Sequence, residues 1–170
     1  MLCALPAVCY FTFLFVSAGR PLSTQLALMS NATVLLSVIS NFILRPLFSS
    51  AHDVRVWHII AGMIAVDTVE YWSHRLLHTP ILYRCMHWVH HSVGVPTHHV
   101  SFANHPLEVV FTTPPILGSF VALGLSYAEF VIVMSLAFVA TALDHAQTDP
   151  CAFHRLHHCG DKRTNFQQPF

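Results

Sequence analysis

The stretch HRLLHTPILYRCMHWVHH sets five histidines, His74, His78, His87, His90 and His91, into eighteen otherwise largely apolar residues. Their spacing is His-x-x-x-His, then His-x-x-His-His. A second copy of the latter, His154, His157 and His158, lies in FHRLHH, and His145 stands between the copies. On a helix, residues three and four apart share a face, so each group can direct several imidazoles to one place. A buried neutral imidazole otherwise needs its own hydrogen-bond partner or water, whereas one metal ion satisfies several ring nitrogens together. Nine candidate ligands exceed the four of a tetrahedral zinc site and suit two ions with positions left for exogenous ligands. All-imidazole ligation is compatible with iron, zinc, copper or nickel. The chain lacks HExxH, GxSxG and a glycine-rich phosphate loop, so zinc-peptidase, serine-hydrolase and nucleotide chemistries have no footing.

Carboxylates stand where they can orient such ligands. Asp67, Glu70, His74 and His78 follow a 3-4-4 spacing, so Asp67 or Glu70 can accept the second ring N–H of a ligand. Asp144, beside His145, and Glu108, three residues after His105, are similar candidates. His98 and His99 fit no ligand spacing and read as interfacial residues. His52 and His58 fall outside the patterned region and are expected on the opposite face.

The elements that must position these residues read as membrane helices. Hydrophobic residues make up 54% of the 170-residue chain and charged residues 9%, against roughly 25% charged in soluble proteins. Eight Lys and Arg balance eight Asp and Glu, which excludes a basic nucleic-acid-binding surface. Five cysteines form no CxxC and no disulfide framework, and the Asn31 sequon lies inside an apolar run and reads as unmodified. Met1 to Ala18 and Leu26 to Leu44 are long enough to approach or cross a bilayer, and Val56 to Val69 is a shorter third segment that ends in acids. The longest apolar tract, Val109 to Leu143, would be roughly 52 Å as one helix, so a two-helix hairpin bent around Ser126 to Glu129 is expected. That layout delivers every patterned histidine to one side. Arg20, Arg75, Arg84, Arg155, Lys162 and Arg163 fall on that side and Arg45 and Arg55 opposite, which makes the histidine side cytosolic by the positive-inside rule.

The pieces DTVEYWSHRLLHTPILYRCMHWVHH, NHPLE, DH, FHRLHH and NFQQPF, in order between residues 67 and 170, resemble the fatty acid hydroxylase/sterol desaturase superfamily of membrane di-iron enzymes. The resemblance implies an all-α integral membrane fold of four to five transmembrane or membrane-embedded helices beneath a histidine-rich two-metal cap on the cytosolic side. Residues 1–55 would supply undiagnostic membrane helices and 56–170 the catalytic domain. It implies two iron ions, with zinc a possible substitute, held by His74, His78, His87, His90, His91, His145, His154, His157 and His158. His105 would be a ligand or would shape the site, and Asn165 would support it. The implied reaction spends dioxygen and two electrons, from a cytochrome b-type protein or reductase, to hydroxylate or desaturate an unactivated C–H bond of a sterol or long-chain acyl lipid. The implied setting is the endoplasmic reticulum, or the inner membrane of a bacterium. Two departures stand out: the interval between His145 and His154 is short, and the sequence ends where members continue with an aromatic stretch and a Trp-Asp element, as in a domain truncated at its C-terminus. The competing readings are a metal-binding or metal-transporting membrane protein and a catalytically inactive relative.

Overall fold

A computed structural model of the chain describes residues 43–49, 53–92, 101–145 and 153–160. The expected first membrane segment and almost all of the second, His52, His98, His99 and Asn165, and the cations Arg20, Lys162 and Arg163, lie outside these residues. The described residues are mostly helical and contain no strand, only one isolated bridge between Ser49 and Ser126.

Helix α1, Val56–Leu77, is 22 residues long and runs straight through Asp67, Glu70 and His74. The acids therefore do not end the third apolar segment, as its composition suggests. They lie on a helix that extends past the apolar part into the histidine region. The helix stops at His78 because Thr79 precedes Pro80 and takes the extended conformation that proline imposes on its neighbour. A short turn, α2, Pro80–Leu82, leads into a π-helical segment, Tyr83–His87, and then a tight turn at His90–Ser92. Wide turns of this kind recur at functional sites, where they rephase the side chains that follow.

The long apolar tract is a helical hairpin. Helix α3, Pro106–Ala122, begins with His105 as its cap: the Leu107 N–H donates to His105 Nδ1 (3.2 Å), and Pro106 occupies the first helical position. Helix α4, Tyr127–Asp144, starts from a capping box in which Glu129 N–H donates to Ser126 Oγ while Ser126 N–H donates to Glu129 (2.7 Å). The chain therefore reverses at Leu123–Leu125, just before the polar SYAE, with Gly124 at φ +67°. Ser126 and Glu129 initiate the second helix instead of breaking the hairpin.

The apolar core sits at the reversal end. Phe48, Phe120, Leu125, Phe130, Val66, Val133 and Ala137 fill it, with the Phe48 and Phe130 rings stacked at 4.4 Å. At this end Arg55 and His58 of the α1 entry close on Glu129, which is fully buried and accepts from Arg55 N (2.8 Å), Arg55 Nε (3.0 Å) and Arg55 Nη2 (3.0 Å) and pairs with His58 Nδ1 (2.9 Å). Helix α4 rises about 27 Å from this cluster to His145. His58 is thus a clasp residue remote from the other described histidines.

Helices α1 and α4 meet at Gly62. A Cβ there would stand 2.9 Å from Val133 and 3.2 Å from Leu125. Gly62→Val is expected to lose about 1–3 kcal/mol through overpacking, read as a lowered unfolding midpoint in detergent.

Candidate metal centre

At the other end of the bundle the interior is made of imidazoles. Helix α1 brings His74 and His78, the π-helical segment His87, the following turn His90 and His91, the end of α4 His145, and a short helix, α5, Phe153–Cys159, brings His154, His157 and His158. These nine residues form two groups. His74, His78, His87, His91 and His157 make one, and His90, His145, His154 and His158 the other. Within each, one nitrogen of every ring lies within 4.8 Å of all the rest.

The division cuts across the sequence motifs. Each His-x-x-His-His looks like a cluster with one shared face, yet its outer pair goes to one group and its middle residue to the other. His87 and His91 join the five-membered group while His90 joins the four. His154 and His158 join the four while His157 joins the five. Helical geometry gives the reason: positions i and i+4 differ by only about 40° around the axis, while i+3 and i+4 differ by about 100°. The two copies exchange their middle histidines, so each group needs both copies.

Hydrogen bonding cannot satisfy this arrangement. His78 Nε2 has four Nε2 neighbours, those of His157 (2.9 Å), His87 (3.1 Å), His91 (3.1 Å) and His74 (3.3 Å). A neutral ring nitrogen carries one hydrogen or one lone pair, so it can serve one such neighbour. The smaller group repeats the pattern, with His158 Nε2 3.1 Å from His90 and 3.2 Å from His154, and His145 Nε2 3.4 Å from His90. A cation at the centre of each group satisfies all of its nitrogens together. With metal–nitrogen bonds of about 2.1 Å, neighbouring donors stand about 3.0 Å apart at right angles and about 3.4 Å apart in a tetrahedron. Spacings of 2.9–3.3 Å in the five-membered group fit the former, and five donors already exceed a tetrahedral shell.

The surroundings suit the rings to ligation. Burial, reinforced by neighbouring histidines, pushes His90 and His154 well below the ordinary imidazole range, and burial lowers His145 to about 4. All three are neutral at pH 7, the state that binds metal. His145 Nδ1 donates to the Thr141 carbonyl (2.7 Å), which leaves the Nε2 lone pair facing its group. His87 Nδ1 donates to Glu108 Oε1 (3.0 Å) with the same result. Glu108 is thus an acid of the sequence set with a hydrogen bond to a clustered ring. Asp144 is buried at the end of α4, and Glu70 is within electrostatic reach of both Asp67 and Asp144. His105 stands outside both groups and serves α3 as its cap. The Thr141 carbonyl has no signature in sequence, since any residue can offer a backbone oxygen. Tyr83, whose ring lies 5.6 Å from His78, also went unmarked by the histidine spacing.

A cavity of about 190 Å³ opens against these rings. His74, His87, His90, His145 and His154 form its floor, drawn from both groups, and Val109, Ile116, Met134 and Phe138 carry it between the hairpin helices.

The sequence profile of the fatty acid hydroxylase family matches residues 59–170, which takes in α1 from its fourth residue, α2 through α5 and all nine histidines. The chain belongs to the fatty acid hydroxylase family. It is 35% identical over 130 residues to the sphingolipid C4-hydroxylase of Saccharomyces cerevisiae, covering 66% of this chain and 36% of that protein. It is 31% identical over 126 residues to sphinganine C4-monooxygenase 2 of Arabidopsis thaliana, covering 65% and 49%. Similarity extends to the C-4 methylsterol oxidase of Schizosaccharomyces pombe, 40% identical over 55 residues, or 32% of this chain and 18% of that one. The chain thus spans about a third to a half of the length of the first two of these family members. No solved structure matches it.

Proposed function

We propose that this family member is a membrane-bound lipid oxygenase that hydroxylates an unactivated C–H bond with two iron ions. The observation that carries the reading is the pair of interlocked imidazole groups sharing one cavity floor. His74, His78, His87, His91 and His157 would hold one ion and His90, His145, His154 and His158 the other. Bound iron supplies the activation of dioxygen and the oxidising power, using two electrons from a cytochrome b-type or reductase partner. The protein's own part is positional. Glu108 and the Thr141 carbonyl hold His87 and His145 in their ligating tautomers, and the hairpin helices line the cavity with apolar side chains. Hydroxylation is preferred to desaturation because the relatives' names describe oxygen insertion.

A membrane setting is supported by apolar side chains on the surface of the described helices, in contrast to the polar interior at the histidine end. Helix α4 is long and apolar enough to cross a bilayer. Trp57, Ile60, Ile64 and Trp72 of α1, with Val110 of α3 and Val139 of α4, are exposed, while His58, Glu108 and nearly all the clustered histidines face inward. Arg45, over the Tyr127 ring, and Arg55 mark the reversal end, opposite the imidazoles, in accord with a cytosolic histidine face. The endoplasmic reticulum, or a bacterial inner membrane, is the compartment this reading assigns.

Full chain reconstituted in vesicles with iron, a reductase and dioxygen is expected to add one oxygen atom to a long-chain lipid, seen by mass spectrometry, and His157→Ala to add none. Iron-loaded protein that oxidises no sphingoid, acyl or sterol lipid would contradict the assignment, as would metal flux across the vesicle.

A further inference from the structure

Among its described side chains, helix α5 has little besides histidine to bury. It is seven residues long, and helices shorter than about 12–15 residues are marginal on their own in water. His154, His157 and His158 are buried, whereas Leu156 is 54% exposed and Cys159 is exposed too. The rings of α5 meet other rings. His157 Nε2 lies 3.2 Å from His74 and 2.9 Å from His78, and His158 Nε2 lies 3.1 Å from His90. The His145 and His154 rings stand 4.5 Å apart. A neutral imidazole nitrogen can serve one such neighbour, so a cation between the rings is what turns these contacts into an attachment.

The two groups depend on α5 unequally. The larger takes four of its five rings, His74, His78, His87 and His91, from residues 74–91 and one, His157, from α5. The smaller takes two, His90 and His145, from the rest of the bundle and two, His154 and His158, from α5. Four imidazoles complete a tetrahedral set for one ion, and two leave half of it open. His154 is also part of the cavity floor.

We propose that α5 docks on the bundle only as metal binds, in two stages. The larger group's ion loads first, on residues 74–91. The smaller group's ion binds together with α5, whose docking completes the cavity floor. Binding that requires an ordered segment supplies the free energy that orders it. A chain holding one ion therefore has an unfinished floor, which ties formation of the cavity to the supply of the second ion. The inference rests on the two-ion part of the reading above and not on lipid oxidation.

The test is hydrogen–deuterium exchange of the full chain in detergent, stripped with a chelator and then given zero, one or two equivalents of cobalt(II). Metal content is measured on the same samples. The reporting amides are those of residues 157–160, where Gly160 N–H donates to the Leu156 carbonyl (2.7 Å). Their exchange is expected to slow at least about tenfold between the first and second equivalents, and to change less than about twofold between none and one. The amides of α4 should be unaffected throughout. Equal protection of α5 without metal, or full protection from the first equivalent, would overturn the proposal. His145→Ala removes a donor of the smaller group at the end of α4, outside α5. That variant is expected to keep one ion and to leave α5 exchanging as in the one-ion chain. Protection equal to that of the two-ion wild type overturns the proposal. Should it fail to accumulate, His90→Ala makes the same prediction from the other donor outside α5. A chain that takes up no ion sinks this proposal together with the two-ion reading, whereas two bound ions with unchanged α5 exchange sink the proposal alone.

Discussion

His78→Ala is expected to remove one of two bound metals and to abolish lipid oxidation. His78 Nε2 is within 3.3 Å of four other Nε2 atoms, so it marks the centre of the five-membered group. Losing a residue that merely orients a ligand costs about 10–100-fold in metal affinity or activity, and losing the donor itself should exceed that. The smaller group shares no member with the larger, so its ion should remain. His158→Ala should give the reciprocal result, losing the other ion and keeping the first. Plasma mass spectrometry of each purified variant reads the count. Loss of both ions from either variant would show one cooperative cluster instead of two separable groups.

Glu129→Ala is expected to give the largest loss of stability with the metal centre intact. Five donors from Arg55, His58 and Ser126 converge on this carboxylate, which ties the start of α1 to the hairpin reversal. Removing one partner of a buried ion pair costs roughly 3–5 kcal/mol. The Arg55 side chain is 39% exposed and can turn to water, so about 3 kcal/mol is the expected cost, or roughly 10 °C in unfolding midpoint for a domain of this size. The imidazoles lie about 27 Å up α4, so metal content should be unchanged in the folded fraction. A shift of less than about 2 °C would mean that the clasp contributes little.

What the sequence discloses about this centre is the set of histidines, and what it conceals is their partition. All nine patterned residues converge, because i, i+3 and i+4 spacing is a local property that survives folding. The exchange of His90 and His157 between groups is tertiary. It depends on two motifs that begin 67 residues apart, at His87 and His154, meeting at a set angle, with the π-helical turn at Tyr83–His87 adjusting one of them. The hairpin was legible from tract length, but its turn was displaced, because Ser126 and Glu129 read equally well as a helix breaker and as the capping box they form. Glu108 was recognisable as an acid at ligand spacing. Its particular partner, His87 Nδ1 in the other part of the histidine region, was not, since spacing along the chain says nothing of which ring a carboxylate meets.

Whether these imidazoles hold two ions is tested most directly by the metal content of the full wild-type chain purified in mild detergent from iron-replete cells. About two irons per chain are expected. A single ion of any kind, or none, would contradict a two-ion centre.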